Sequence, residues 1–128
     1  MKNQFNLSHL VRENVKAMKA YSSARDEFTS SHDNLTFLDA NESPFDNNFN
    51  RYPDPYQLEL KEELASLKSV SATQLMLGNG SDEVLDLIFR AFCEPHQNQV
   101  ITMPPTYGMY KVLANLNAVE VVNVNLTE

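Results

Sequence analysis

The chain has 128 residues, of which 42% are hydrophobic and 21% are charged, a composition typical of globular proteins. Its formal net charge of −7 argues against a nucleic-acid partner, because binding phosphate backbones requires clustered Lys and Arg. No segment approaches the roughly 20 apolar residues of a membrane-spanning helix, and we expect neither a membrane partner nor a metal site. The single cysteine, Cys93, excludes an internal disulfide and predicts a cytoplasmic protein.

The N-terminal half begins with a predicted helical arm over residues 8–25, with Ser8 as N-cap and apolar residues at helical spacing. Residues 26–34 predict a loop, and residues 35–39 alternate weakly, as a short strand does. Three prolines within residues 41–55 predict an irregular segment, because proline lacks an N–H donor and restricts the residue before it. Residues 56–67 return to a helical pattern with a leucine stripe.

The C-terminal half alternates short apolar runs with helical patterns. Strands are predicted at residues 74–77, 100–103 and 119–126, and helices at residues 82–93 and 106–117, the second capped by Thr106. This order predicts an α/β domain with helices packed on a largely parallel sheet. Because the third strand would leave an exposed apolar edge, we expect these residues to be a fragment of a larger domain.

The turn Gly78-Asn79-Gly80-Ser81-Asp82-Glu83 joins a predicted strand to a predicted helix. Glycines allow close approach of a ligand, and the N–H groups of a helix N-terminus attract phosphate. A capped helix start, with Ser81 as N-cap and the acidic residues favoured by the dipole, explains the same residues. Taken alone, the turn fits this second interpretation better, and acidic side chains beside a phosphate would have to point away or hold another group.

Two further segments are candidate sites. Tyr107 follows the next predicted strand, at the sheet edge where α/β proteins bind ligands, and its ring suits either a flat ligand or simple packing. The pair of segments 39–44 and 50–55 is polar and stiffened by proline, which suits either a binding loop or a surface connector. Arg51 alone would be a solvated charge.

Taken together, these segments resemble the histidinol-phosphate aminotransferase family of fold-type-I enzymes, which use pyridoxal 5′-phosphate (PLP). The similar segments, in the family's order, are RENVKAMKAYSSAR (12–25), LDANESPF (38–45), NRYPDP (50–55), LGNGSDEVLDLIFRAFCEP (77–95) and MPPTYGMYKV (103–112). Ser43 stands where the family commonly has asparagine, and His96 where it usually has glycine. The resemblance implies an N-terminal arm (1–34), an active-site loop region (35–56) and the first part of a three-layer, mostly parallel PLP-binding domain (57–128).

The resemblance also implies roles for individual residues. The backbone amides of Ser81, Asp82 and Glu83 would hold the PLP phosphate, and Tyr107 would stack on the pyridine ring. Tyr52 would reach the cofactor phosphate of the neighbouring subunit in a homodimer whose N-terminal arms cross between subunits. Tyr21 and Asn41 would lie near the substrate, Tyr21 toward its phosphate.

The family's reaction moves an amino group from histidinol phosphate to 2-oxoglutarate, which gives imidazole-acetol phosphate and glutamate, and it also runs in reverse. It needs a Schiff-base lysine, and none of the lysines at positions 2, 16, 19, 61, 68 and 111 has the family's sequence context. We therefore expect no catalytic residue in this chain and no activity from it alone. Three alternatives remain open: a threonine-phosphate decarboxylase, an aromatic aminotransferase, and a non-catalytic phosphate-binding or interaction module.

Overall fold

The computed structural model describes residues 6–23, 27–28 and 36–127. It divides into two compact units, one made of Met1–Met18 with Met76–Glu128 and the other of Lys19–Leu75. None of the helices in these described ranges is long and apolar enough to cross a membrane. The loop predicted over residues 26–34 lies outside the described residues, apart from Glu27 and Phe28.

The first unit contains a small parallel sheet covered by helices. Its elements are α3 (Ser81–Phe92), β1 (Gln99–Thr102), α4 (Met109–Leu116) and β2 (Glu120–Asn123). The two strands pair in parallel, with Gln99 opposite Glu120 and Thr102 opposite Asn123. Parallel neighbours need a crossover connection, and α4 supplies it. The predictions of α3, β1, α4 and β2 are confirmed, with ends shifted by a few residues.

The core of this unit lies between the two helices and the sheet. Phe89 from α3, Leu113 and Ala114 from α4, and Val119 before β2 are buried together. Cys93 packs against this cluster as a small hydrophobic group, and burial raises the pKa of its thiol. These contacts place the start of α3 and the loop after β1 in the same unit.

The N-terminal segment of the first unit is held against α3 by Arg12. A short α1 (Glu13–Lys16) follows a single 3₁₀ turn, and the described residues 18–23 are not helical. The predicted continuous helix is therefore wrong, because the backbone turns at Arg12, whose ψ is 142°. There the Arg12 N–H donates to the Ala91 carbonyl at 3.0 Å, and its guanidinium pairs with Glu94 at 2.9 Å.

The second unit contains the irregular segment 41–55, as predicted, and α2 (Leu58–Lys68). The Asp54 carboxylate caps α2 by accepting the N–H groups of Leu58 and Tyr56, both at 2.8 Å. These two backbone donors, Leu58 first, lower the pKa of Asp54, as expected when N–H groups hold a carboxylate. Much of the predicted leucine stripe of α2 is exposed, and Ala65 is its buried residue.

Three local predictions differ from the structure. Residues 36–38 are irregular. Leu75 is extended, with φ −106° and ψ 132°, but the sheet of the described residues contains only β1 and β2, so the strand predicted at 74–77 is absent. An apolar run becomes a strand only where a neighbour satisfies its backbone groups. Helix α4 begins after Gly108, and Thr106 is not its cap.

Candidate functional site

The turn before α3 depends on its two glycines. Gly80 has a φ of 87°, a conformation that residues with a Cβ rarely adopt. A Cβ atom on Gly78 would lie 2.9 Å from both Glu83 Oε2 and Val84 Cγ2, which is too close for a real contact. The missing Cβ of Gly78 therefore lets the chain lie tightly against the side chains of Glu83 and Val84 at the helix start.

The N-terminus of α3 presents backbone donors. Gly80 occupies the N-cap position without a side-chain cap, so the prediction of Ser81 as N-cap is wrong. Ser81, Asp82 and Glu83 form the first helical positions, whose N–H groups have no acceptor within the helix. Together with the positive end of the helix dipole, these N–H groups favour an anion such as a phosphate.

The two acidic side chains of this turn are held by other groups of the chain. The Tyr107 hydroxyl donates to Asp82 and lies 3.2 Å from each carboxylate oxygen. The Glu83 carboxylate accepts the backbone N–H of Asn79. If a phosphate binds at this turn, the two carboxylates must point away from it or bind another group. Each of them accepts a hydrogen bond from a donor of the chain.

Tyr107 lies in the loop that follows β1. Its hydrogen bond to Asp82 ties this loop to the start of α3. The residue is 53% exposed, and its ring meets the Tyr110 ring edge to face, with centroids 6.0 Å apart. Two causes raise the pKa of Tyr107: first the hydrogen bond to Asp82, and second its partial burial. Ionisation would place a phenolate beside a carboxylate, which is unfavourable. The phenol therefore remains a donor at neutral pH, and its exposed ring is available to a flat ligand.

The second unit contains a cleft of about 860 Å³. It is lined by Tyr21, Asn41 and Tyr52, three residues from separate segments to which the family resemblance assigns ligand contacts. Asp54 lines it as well, with its carboxylate engaged by the cap of α2. A volume of this size is within the range of small-molecule sites.

Glu42 does not line this cleft but bonds to residues beside it, a role that the sequence pattern did not predict for it. Its carboxylate pairs with Arg51 at 2.7 Å and accepts the Tyr52 N–H at 3.0 Å. Arg51, which alone predicted a solvated charge, is thus joined to the segment around Asn41. The sequence contained one indication of this ion pair: the acidic Glu42 and the basic Arg51 lie in the two polar segments, 39–44 and 50–55, that were predicted to form one site.

Comparison with known proteins places these features in a family. Residues 32–128 match the model of aminotransferase class I and II. The chain is 63% identical to a histidinol-phosphate aminotransferase of Flavobacterium psychrophilum, over 92% of this chain and 34% of the relative. It is 61% identical to one of Christiangramia forsetii, over 91% and 33%, and 56% identical to one of Parabacteroides distasonis, over 95% and 35%.

The chain thus spans about a third of the length of these relatives. These relatives confirm the family resemblance that the five sequence segments indicated. The family match also covers both the turn before α3 and Tyr107, whose geometry suits an anion beside a flat ring. The chain belongs to the aminotransferase class I and II family.

Proposed function

We propose that a full-length protein containing this chain is a PLP-dependent histidinol-phosphate aminotransferase. It would interconvert histidinol phosphate and 2-oxoglutarate with imidazole-acetol phosphate and glutamate. The observation that carries the proposal is the start of α3, where uncapped N–H groups lie beside the Tyr107 ring that Asp82 holds. The names and identities of the relatives support the same reaction.

The residues of the first unit fit the cofactor. The N–H groups of Ser81, Asp82 and Glu83 would bind the PLP phosphate, and Tyr107 would stack on the pyridine ring. The glycine turn supports this assignment, since Gly80, at the N-cap position with a φ of 87°, adds no side chain there. PLP supplies an electron sink that makes the α-proton of an amino substrate removable. The protein's part is to bind and orient the cofactor and to keep the Tyr107 phenol protonated.

In the second unit, Tyr21 and Asn41 would contact the substrate, with Tyr21 toward its phosphate. Tyr52 would reach the cofactor phosphate of a neighbouring subunit in a homodimer. Their shared cleft supports a joint role. No lysine of this chain is proposed as catalytic, so the chain alone would be inactive.

We propose that the full-length protein has the domain order of a fold-type-I enzyme. Residues 1–34 would form an N-terminal arm, residues 35–56 an active-site loop region, and residues 57–128 the first part of a three-layer, fold-type-I domain in a cytoplasmic enzyme. The parallel pair β1 and β2 with its crossover helix supports an α/β domain of this kind.

Assaying the full-length protein with glutamate tests the proposed reaction. Imidazole-acetol phosphate is the expected acceptor, compared with unphosphorylated aromatic keto acids. Preference for an aromatic keto acid would indicate an aromatic aminotransferase, and release of CO2 from threonine phosphate would indicate a decarboxylase. If no turnover or PLP binding occurs, a non-catalytic role replaces the proposal.

A further inference from the structure

Glu42 joins two segments that are apart in the sequence. Its Oε2 atom lies 2.7 Å from Arg51 Nη1, and its Oε1 atom accepts the N–H of Tyr52 at 3.0 Å. Nearby, the Asn50 side chain donates to the carbonyl of Ser43 at 3.1 Å. The segment that begins at Asn41 and the segment that ends at Tyr52 are therefore closed into one loop.

The burial of Glu42 shows that this contact is built into the loop. Its side chain is only 7% exposed, whereas that of Arg51 is 68% exposed. A carboxylate removed from water is unfavourable unless donors satisfy it, and here each oxygen has a donor of its own. Charge-assisted bonds of this kind are stronger than neutral ones, so Glu42 restrains the Tyr52 backbone more firmly than a neutral acceptor would.

The neighbours of Glu42 in this arrangement are residues of the cleft. Asn41, directly before it in the chain, and Tyr52, whose N–H it holds, both line the same cavity. Tyr52 as a whole is 60% exposed, so packing restrains its side chain little. The position of its hydroxyl depends on the backbone that Glu42 fixes.

We propose that Glu42 is a positioning residue, which holds Tyr52 in the geometry that reaches the cofactor phosphate of the neighbouring subunit and Asn41 in the geometry that contacts the substrate. This inference rests on the proposed function, in which Tyr52 meets the cofactor phosphate. Glu42 itself does not touch the ligand. It acts through the Tyr52 backbone and through the ion pair with Arg51.

Amide hydrogen exchange tests the contact without reference to activity. In the full-length protein, Glu42→Ala should speed exchange of the Tyr52 amide by about tenfold or more, the effect of losing a hydrogen bond to a charged acceptor. Glu42→Gln should have a smaller effect, because an amide oxygen can still accept that N–H. Glu62→Gln, an exposed acid of α2, is the control and should leave the exchange unchanged. Unchanged exchange in both Glu42 variants would overturn the proposal.

Affinities for PLP and pyridoxal, which lacks the phosphate, test the role. Glu42→Ala should weaken PLP binding about tenfold, as one charge-assisted bond predicts, and leave pyridoxal binding unchanged. Tyr52→Phe should do the same, and the double variant should add little because both changes remove one contact. Equal weakening of both ligands would overturn the positioning role, and Glu42→Gln gives the same comparison if Glu42→Ala does not fold. A wild-type protein that does not prefer PLP would instead refute the proposed function and this role, while the exchange result would still decide the contact.

Discussion

The hydroxyl of Tyr107 donates to the carboxylate of Asp82, 25 residues earlier in the chain, and lies 3.2 Å from each of its oxygens. This bond fastens the loop after β1 to the first turn of α3. A carboxylate beside a bound phosphate would repel it. The Asp82 carboxylate instead accepts a hydrogen bond from Tyr107 of the same chain. The backbone N–H groups at the start of α3 have no side-chain cap and stay available to a phosphate.

Removing the Tyr107 ring should weaken PLP binding. In the full-length protein, we expect Tyr107→Ala to lower PLP affinity about two- to tenfold, since an aromatic pair contributes about 0.5–1.5 kcal/mol beyond its buried area. Tyr107→Phe keeps the ring and should lose less. Titration of the apoprotein with PLP measures both. An unchanged affinity in Tyr107→Ala would show that the ring only packs against Tyr110.

Replacing Asp82 should change the titration of Tyr107. The hydrogen bond to Asp82 raises the Tyr107 pKa above its ordinary value of 10.0. A raised pKa means that the bond's contribution to stability is present below about pH 10 and is lost as the pH rises through the folded-state value. Asp82→Asn should therefore lower the pKa of Tyr107, and ¹³C NMR of labelled tyrosine can follow it.

Tyr107→Phe identifies the signal in that experiment, since it removes the Tyr107 resonance. A Tyr107 pKa that is the same in the wild type and in Asp82→Asn would contradict the assigned bond. A pKa that rises in Asp82→Asn would contradict the sign of the electrostatic effect.

Loss of the Arg12 guanidinium should release the N-terminal segment from α3. Arg12 makes two contacts with Glu94, at 2.9 and 3.3 Å, and donates to the Arg90 carbonyl at 3.0 Å. We expect Arg12→Met to destabilise the folded protein by about 1–2 kcal/mol, below the full range for charged hydrogen bonds because Glu94 is partly exposed. Chemical denaturation measures the loss.

Hydrogen exchange of α1 in the same variant shows where the loss arises, and faster exchange is expected there. Lys16→Met is a suitable control, because Lys16 pairs only three residues away, with Glu13 at 2.6 Å, and such exposed pairs contribute little. Equal effects of the two substitutions would refute the special role of Arg12.

The 128-residue chain expressed by itself should self-associate. Large apolar side chains are exposed on the strands and helices of its first unit, namely Leu87, Ile88, Ile101, Val112 and Leu116. Monomers rarely expose contiguous apolar patches of more than a few hundred Å², and each large side chain left in water forgoes roughly 1.5–3 kcal/mol. Sedimentation should show dimers or larger species, and a monomer that unfolds in one sharp transition would contradict this expectation.

Local sequence pattern was sufficient for most of the regular elements. Helical spacing in residues 82–93 and alternation in residues 119–126 predicted α3 and β2, because these periodicities place apolar side chains on one face of each element. Proline predicted the irregular segment 41–55 for an equally local reason. The glycine turn before α3 was also visible, since only glycine suits such a close backbone approach.

The sequence by itself determined the βαβ order of the first unit, the glycine turn and the family resemblance. Only the tertiary structure decided that the helix predicted from Ser8 breaks at Arg12, that Asp82 holds Tyr107, and that Glu42 closes the loop around Asn41 and Tyr52. The contacts join residues from separate segments, 82 residues apart for Arg12 and Glu94, 25 for Asp82 and Tyr107 and ten for Glu42 and Tyr52. Residue spacing reports which face of an element is apolar, whereas such pairs form only after folding has brought separate segments together.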